Sequence, residues 1–340
     1  MGRLRGWGPR LRYLVGRARA YDSANLRRIA LRIAESSGKP RRLVELDMLW
    51  SSIRYEVAFQ DFAEWDFHML TPHERRTYMT SAKSNHLAQR LNAVEQRPIF
   101  ANKLLFNGQF APYIGREYLD LRTCGVNELG SFTSRHARVV AKVADGLGGQ
   151  GIDVFSTSDL TDLEAFKIER LAQRQVLLEQ FLIQHSTMMR LNPTSVNTLR
   201  IVTYLDKAHV VHTLARVLKI GNGGDVDNFK AGGMYTLLDE QGVVQFPAID
   251  GGDRVFEVHP VTGTPIVGFE VPNWLAVLNL VDTIAQEVPR IRYVGWDIAI
   301  TPEGAAVIEG NYNTGVFQLK PSATGVRRGS LPLYRSVIGF

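Results

Sequence analysis

The sequence predicts an α+β protein: a mostly helical, basic region over residues 1–96, then two α+β subdomains over 97–190 and 191–325, then a tail over 326–340. Three observations lead there. Up to about residue 95 the apolar residues recur at helical spacing. Beyond Arg97-Pro98, short β-type runs alternate with capped helices. Near the end, the stretch Tyr293–Gly315 reads as an acid-bearing hairpin.

Composition narrows the class. The 340 residues include 22% charged residues, enough chain for about two domains with sizeable cores. One cysteine, Cys124, excludes an internal disulfide framework and fits a reducing, cytoplasmic compartment. No apolar run is long enough to span a bilayer, and the opening MGRLRGWGPR does not fit a secretory signal. The net charge of +6 is uneven: residues 1–42 hold twelve Lys or Arg against Asp22 and Glu35, so the rest of the chain is net acidic. The basic balance belongs to the N-terminal arm and no recognisable motif accompanies it, which speaks against nucleic acid as a partner.

In that arm Leu4, Trp7, Leu11, Leu14, Val15 and Ala18 form an apolar stripe among six arginines. Such a helix packs its stripe on its own domain, lies on the inner, anionic face of a membrane, or docks on an acidic partner; the sequence leaves these open. Residues 22–37 and 72–92 are expected to be helical, the second opened by the capping box Thr71-Pro72-His73-Glu74. Phe59, Phe62, Trp65 and Phe67 are expected in the core between them. His68, His73 and His86 show no metal-ligand spacing.

After Arg97-Pro98, Lys103 heads a short helix. Arg138–Val143 is a predicted strand with Lys142 near its end. Asp145–Gly151 is a glycine-rich loop holding Gly146, Gly148, Gly149 and Gly151, and Ile152–Ser156 is the return strand. Glycines let backbone N–H groups turn inward around an anion, and a strand lysine beside them adds a compact positive charge. No G-K-[ST] closes the loop and no H-R-D or D-F-G follows, so neither a P-loop nor a protein kinase is indicated. A capped helix from Thr161 to about Arg174 leads to the apolar strand Gln175–Ile183, in which Glu179 is the one acid. A carboxylate there needs a cationic partner or a ligand.

The strands Asn197–Leu205 and Val210–Ile220 carry Arg200 and Arg216, flanking the polar loop Asp227–Gly233 with Asn228. Two arginines there suit an anion clamp, although the loop lengths do not fix whether both point the same way. Residues 273–288 form an amphipathic helix feeding the hairpin. In the hairpin, Val294–Ile300 and Ala305–Gly310 flank a turn with Pro302 and Gly304. Pairing Thr301 with Ala305 sets Asp297 opposite Glu309 and Gly295 opposite Asn311. Asp297, Glu309 and Asn311 then share one face, with Trp296, Ile298, Ile300 and Ile308 on the other. Two acids and an amide oxygen suit magnesium.

Lys103, Lys142 with GLGGQG, LEQFL, the two arginines, DNFKAGG and WDIAI…VIEGN occur in an order that resembles the ATP-grasp superfamily of carboxylate–amine ligases. The wording NTLR, DNFKAGG and GWDIAI…IEGN is most similar to the sugar-transfer-associated ATP-grasp proteins, over about residues 97–320. The resemblance implies an ATP-grasp fold that uses ATP and magnesium. Lys103 and Lys142 would hold the α- and β-phosphates, and Gly146–Gly151 would close over the triphosphate. Glu179, Gln180, Phe181 and Leu182 would form the adenine hinge, with backbone bonds from Gln180 and Leu182, and Gln184 or His185 would lie near the ribose. Asp297, Glu309 and Asn311 would coordinate magnesium. Arg200 and Arg216 would stabilise the transferring phosphoryl group, and Asn228 with Gly232-Gly233 would complete the pocket. The implied reaction joins a small-molecule carboxylate to an amine through an acyl phosphate, in polysaccharide or glycoconjugate assembly. The helical N-terminal region departs from the strand–helix domain that opens many of these ligases.

Overall fold

A computed structural model describes residues 22–146, 151–223 and 232–340. The basic arm, Gly148, Gly149 and Asn228 lie outside the described residues. Two compact units divide the chain: Met1–Leu91 with Gly252–Val255 and Asn313–Phe340, and Asn92–Gly251 with Phe256–Tyr312.

The first unit is helical. Asp22 caps the helix Ser23–Ser37 by accepting from the N–H groups of Ala24 and Asn25, and Gly38 ends it at φ +70°. Its apolar side, with that of the helix Arg41–Tyr55, closes on a core that includes Phe62, Trp65, Phe67 and Tyr78. The predicted capping box forms: the Thr71 N–H donates to Glu74 (2.7 Å) and the Glu74 N–H to Thr71 (3.4 Å). The expected helix 72–92 is interrupted, running as Pro72–Arg75 and then Ser81–Leu91. The chain between them turns Tyr78 and Met79 fully inward, and that burial outweighs helical continuity. The C-terminal stretch is part of the unit. Lys320 is buried, pairs with Asp66 at 3.0 Å and donates to the Ala63 carbonyl at 3.2 Å; the helix Leu331–Ile338 buries Leu331 and Tyr334. Among the described residues no helix is long and apolar enough to cross a membrane.

The second unit holds two sheets. The smaller joins β1 (Tyr118–Asp120), β4 (Leu177–Gln180), β2 (Arg138–Lys142) and β3 (Ile152–Ser156), in the order β1-β4-β2-β3, with every pair antiparallel. The larger has the order β11-β10-β5-β6-β7-β8-β9. Its strands are β5 (Thr198–Leu205), β6 (Val211–Ile220), β7 (Met234–Leu237), β8 (Ala248–Asp250), β9 (Val255–Phe256), β10 (Tyr293–Thr301) and β11 (Gly304–Asn311). One face of the larger sheet presents Leu199, Ile201, Leu218, Trp296, Ile298 and Ile300 to a core shared with Phe106 and Phe110, and with Val277, Val281 and Ile284 of the helix Trp274–Ile284. Trp296 satisfies its indole N–H on the Thr203 hydroxyl at 2.9 Å. With that face committed to packing, the chemistry is left to the other.

Candidate active site

The hairpin β10–β11 sets the geometry. Thr301 pairs with Gly304 and Ile300 with Ala305, one step tighter than the expected Thr301–Ala305 pairing, so the turn has only Pro302 and Glu303 at its tip. Gly304 sits at φ +145°, a backbone conformation that favours glycine. A ladder continued from that turn would carry Glu309 to the wrong face. A bulge corrects it: Ile298 pairs with Val307 but Asp297 with Glu309, leaving Ile308 as the extra residue. Asp297 thus faces Glu309, and Gly295 faces Asn311, as expected. Ile308 does not join Trp296, Ile298 and Ile300. Val307 takes the core position, and Ile308 packs with Leu182, Ala299 and Ala306 on the functional face. Gly310 is required on the core side, where a Cβ would come within 2.8 Å of the Phe100 ring.

Asp297 is buried and held by Arg200, its neighbour across β5–β10, through Nε to Oδ1 (2.5 Å) and Nη2 to Oδ2 (2.7 Å). The Lys219 ammonium lies 3.6 Å from the same carboxylate. Burial alone would raise the Asp297 pKa; the charges of Arg200 and Lys219 outweigh it and hold the carboxyl well below its ordinary value. Glu309 goes the other way. Burial and the facing charge of Asp297 raise its pKa, with Arg200 opposing. Asn311 donates its amide N–H to the Gly295 carbonyl (3.3 Å) and to Glu309 (3.2 Å), so its amide oxygen is the atom it offers a cation. Among the described residues no group of three or more His, Cys, Asp or Glu is placed to hold a metal ion; the donor set here is two carboxylates and an amide. All are hard oxygens, and the mutual repulsion of the two carboxylates is what a divalent cation would relieve, so the residues fit magnesium.

Arg216 does not join Arg200. It pairs with Ile201, whereas Arg200 pairs with Val217. Side chains alternate across a sheet, so Arg216 belongs to the face of Leu199 and Ile201. The cation that shares the Arg200 face is Lys219, opposite Thr198. A bulge at the far end of β5–β6 and loops of unknown length hide this parity in the sequence.

On the smaller sheet, Glu179 is 2% exposed and fully partnered. Lys142 donates to one oxygen; Arg116 (3.0 Å) and Asn107 (2.6 Å) donate to the other. Burial would raise its pKa, but the charges of Arg116 and Lys142 dominate and hold it far below the usual range. Arg116 escaped the sequence reading. Its guanidinium also donates to the carbonyls of Ile114 (2.9 Å), Val307 (2.9 Å) and Ile308 (3.3 Å), tying Glu179 to the bulge before Glu309. Lys103 donates to the Gly146 carbonyl at 2.5 Å, and its own N–H to the Ala144 carbonyl at 2.8 Å, fixing the helix Lys103–Gln109 to the root of the glycine loop. Burial lowers the Lys103 pKa, Glu309 opposes this and Lys142 adds to it, so both lysines and Glu309 share one electrostatic neighbourhood. Gly151 closes the loop at φ +69°, where a Cβ would press on Val143 at 2.9 Å.

A cleft of about 920 Å³ opens beside these groups, lined by Arg116, Lys142, Glu179, Phe181, Leu182, Thr198 and Ile308 among others. Its size suits a nucleotide. The expected hinge residues line it, with one change: the Gln180 N–H is already spent on the Glu117 carbonyl at 2.9 Å. Arg138 stacks on the Phe181 ring, 3.8 Å from its centroid. The ribose assignment is not supported. Gln184 donates to the carbonyls of Asn192 (2.8 Å) and Ser195 (2.9 Å) and accepts from the Asn197 backbone (3.0 Å) and side-chain amide (3.1 Å), which saturates its amide as a loop brace. His185 caps the helix Ser186–Leu191 by accepting from the Thr187 N–H.

Two sheets with a lysine-and-glycine side, a hinge and an acid hairpin define the ATP-grasp fold. The sugar-transfer associated ATP-grasp family matches residues 82–327, and the chain belongs to that family. No curated protein matches the chain. Among solved structures it is similar to the ATP-grasp ligase PsnB complexed with minimal precursor, at 18% identity over 83% of this chain and 76% of that one, with a TM-score of 0.44. It is also similar to D-alanyl-alanine synthetase A from Vibrio cholerae (13% identity, 71% and 65% covered, TM-score 0.40). A third is N5-carboxyaminoimidazole synthetase from Staphylococcus aureus complexed with ADP (9% identity, 69% and 51% covered, TM-score 0.42). The family match carries the assignment; these distant likenesses add nothing to it.

Proposed function

We propose that the protein is an ATP-dependent ligase that joins a carboxylate to an amine through an acyl phosphate. The observation that carries this reading is the pairing of Asp297 with Glu309 on one face, with Arg200 and Lys219 at the first acid and Lys103 near the second. Adenine sits in the cleft against Phe181 and Leu182. Lys103 and Lys142 meet the phosphates, and the loop Gly146–Gly151, with Gly148 and Gly149, closes over them. Asp297, Glu309 and Asn311 would hold magnesium, which would supply charge neutralisation for the triphosphate.

A carboxylate oxygen of the substrate attacks the γ-phosphorus, ADP leaves, and the resulting acyl phosphate is attacked by the amine, which expels inorganic phosphate and loses a proton. Arg200, positioned by Asp297, offsets the charge spread over the moving phosphoryl group. Asn228 and Gly232-Gly233 complete the acyl pocket. The substrates are small molecules of polysaccharide or glycoconjugate assembly.

The test is phosphate release with purified protein, ATP and magnesium against a matrix of carboxylates and amines. Release that requires both partners supports the ligase. Release with a carboxylate or hydroxyl acceptor alone, with a stable phosphorylated product, makes it a phosphotransferase.

A further inference from the structure

A second cationic cavity lies wholly within the helical unit. It holds about 270 Å³ and brings together Arg54, Arg75, Arg76, Lys83 and Arg335, with Glu56 as the one carboxylate in its lining. These residues come from the end of the helix Arg41–Tyr55, the end of Pro72–Arg75, the first turn of Ser81–Leu91 and the C-terminal helix Leu331–Ile338. Only Arg75 is neutralised: it is forked onto Asp47 at 2.5 and 2.7 Å. Among the described residues no carboxylate lies within ion-pair distance of Arg54, Arg76, Lys83 or Arg335. Lys83 spends its ammonium on the Tyr55 carbonyl (2.8 Å) and the Thr80 hydroxyl (3.2 Å). Burial pushes its pKa down to about 8, with Glu56 opposing and Arg335 adding to the fall. Four cations thus face one carboxylate, Glu56, around this small space, an excess of positive charge that a bound anion would offset.

The surface beside the cavity has its own character. Leu43, Leu46, Trp50 and Ile53 are each 49–62% exposed and recur along one side of the helix Arg41–Tyr55. At 100° per residue Arg54 stands at the edge of that stripe, so apolar surface runs up to the cationic cavity.

We propose that this cavity is a phosphate-binding site, separate from the nucleotide cleft, that takes the phosphate group of a second ligand. A tetrahedral dianion matches several guanidinium donors and one ammonium better than a planar carboxylate does. Two sources present that chemistry: a free phosphorylated metabolite, and a phosphate headgroup whose chains would lie on the exposed stripe.

The full-length protein is titrated by calorimetry with inorganic phosphate and pyrophosphate, and separately floated with vesicles of phosphatidylcholine carrying one-fifth phosphatidic acid. Both are repeated with Arg76→Gln and Arg335→Gln, at exposed positions and with melting temperatures checked against the parent, and with Lys142→Gln to silence the nucleotide cleft. Phosphate affinity should fall about tenfold in each arginine variant, the loss of one charge-assisted bond, and persist in Lys142→Gln. If vesicle binding falls along with phosphate binding, a headgroup is the source; if phosphate binding falls and vesicle binding is unchanged, a soluble metabolite is; a fall in vesicle binding alone is a loss of surface charge and overturns the site. The basic arm is present in every protein compared, so its own attraction to vesicles cancels. Affinities for both probes that are unchanged in Arg76→Gln and Arg335→Gln, or phosphate binding lost only in Lys142→Gln, overturn the site.

Discussion

Replacing Arg116 by methionine tests the coupling of the two sheets directly. The Arg116 side chain is 2% exposed, and its guanidinium donates to Glu179 and to the carbonyls of Ile114, Val307 and Ile308. Methionine fills a similar volume but leaves Glu179 with Lys142 and Asn107 alone, and three carbonyls short of a donor. Breaking a buried pair from one side costs about 3–5 kcal/mol, a large share of the ~5–15 kcal/mol that holds a domain together. Urea unfolding should show this loss at unchanged m. Adding Glu179→Gln should return at least ~1 kcal/mol, because the second change removes the stranded charge. The pH dependence has a definite sign. The folded pKa of Glu179 is depressed, so its stabilisation is complete above the ordinary carboxylate value of 4.5 and is lost as pH falls below it. In Arg116→Met the folded pKa moves back toward the ordinary value, so that loss should be smaller and complete at higher pH. A single-variant cost under ~1 kcal/mol would refute the bridging role.

Four further outcomes follow from the same geometry. Glu309→Gln should lower ATP turnover by about 100-fold or more while leaving the melting temperature unchanged or raised, since it relieves the repulsion from Asp297; full activity would remove the metal assignment. The raised pKa of Glu309 means that the metal-free fold holds a proton the unfolded chain loses, so stability falls as pH rises above the ordinary carboxylate value. Magnesium needs the ionised form, and the thermal shift it gives should grow with pH across that window; a pH-independent shift speaks against Glu309 as a ligand. Gly310→Ala should cost about 1–3 kcal/mol, because the new methyl meets the Phe100 ring at 2.8 Å, and wild-type stability would mean the aromatic cluster yields. Gln184→Leu should lower stability by about 2–4 kcal/mol with little change in KM for ATP; a raised KM at unchanged stability would restore the ribose contact.

Much of this was legible because it rests on local rules. Asp22, Thr71 with Glu74, and Asp162 announce helix starts through side chains that cap exposed N–H groups, and alternation along single strands places Asp297 apart from Trp296. The ordered motifs, not any one of them, pointed to the fold. What stayed hidden depends on contacts far apart in sequence. Arg116 sits in a stretch of breakers with no pattern to mark it, and its partners Glu179 and Ile308 are 63 and 192 residues away. Alternation along β6 sets Arg216 and Lys219 on opposite faces, but only their pairing with Ile201 and Thr198 shows that Lys219 is the one on the Arg200 face. Gln184 looks polar enough for a ligand, and nothing local reveals that Asn192, Ser195 and Asn197 fold back to saturate it.

The acid hairpin shows how a correct placement can rest on two displacements that cancel. The turn is one residue tighter than its Pro302 and Gly304 suggest, and by itself this would invert the faces of β11 from end to end. Ile308 absorbs the difference, and an unpaired residue in a ladder persists only where its backbone groups find other partners. Arg116 supplies them at the Val307 and Ile308 carbonyls, and the same guanidinium fixes Glu179, which fixes Lys142. The acids that would hold the cation and the lysine that would meet the phosphates are therefore registered to each other through one buried side chain. If so, deleting Ile308 should leave a regular ladder in which Asp297 still faces Glu309, because Ile308 is the unpaired residue between Val307 and Glu309, and magnesium should still raise the melting temperature of that variant; loss of the magnesium shift in a deletion variant that still folds would refute the account of the register.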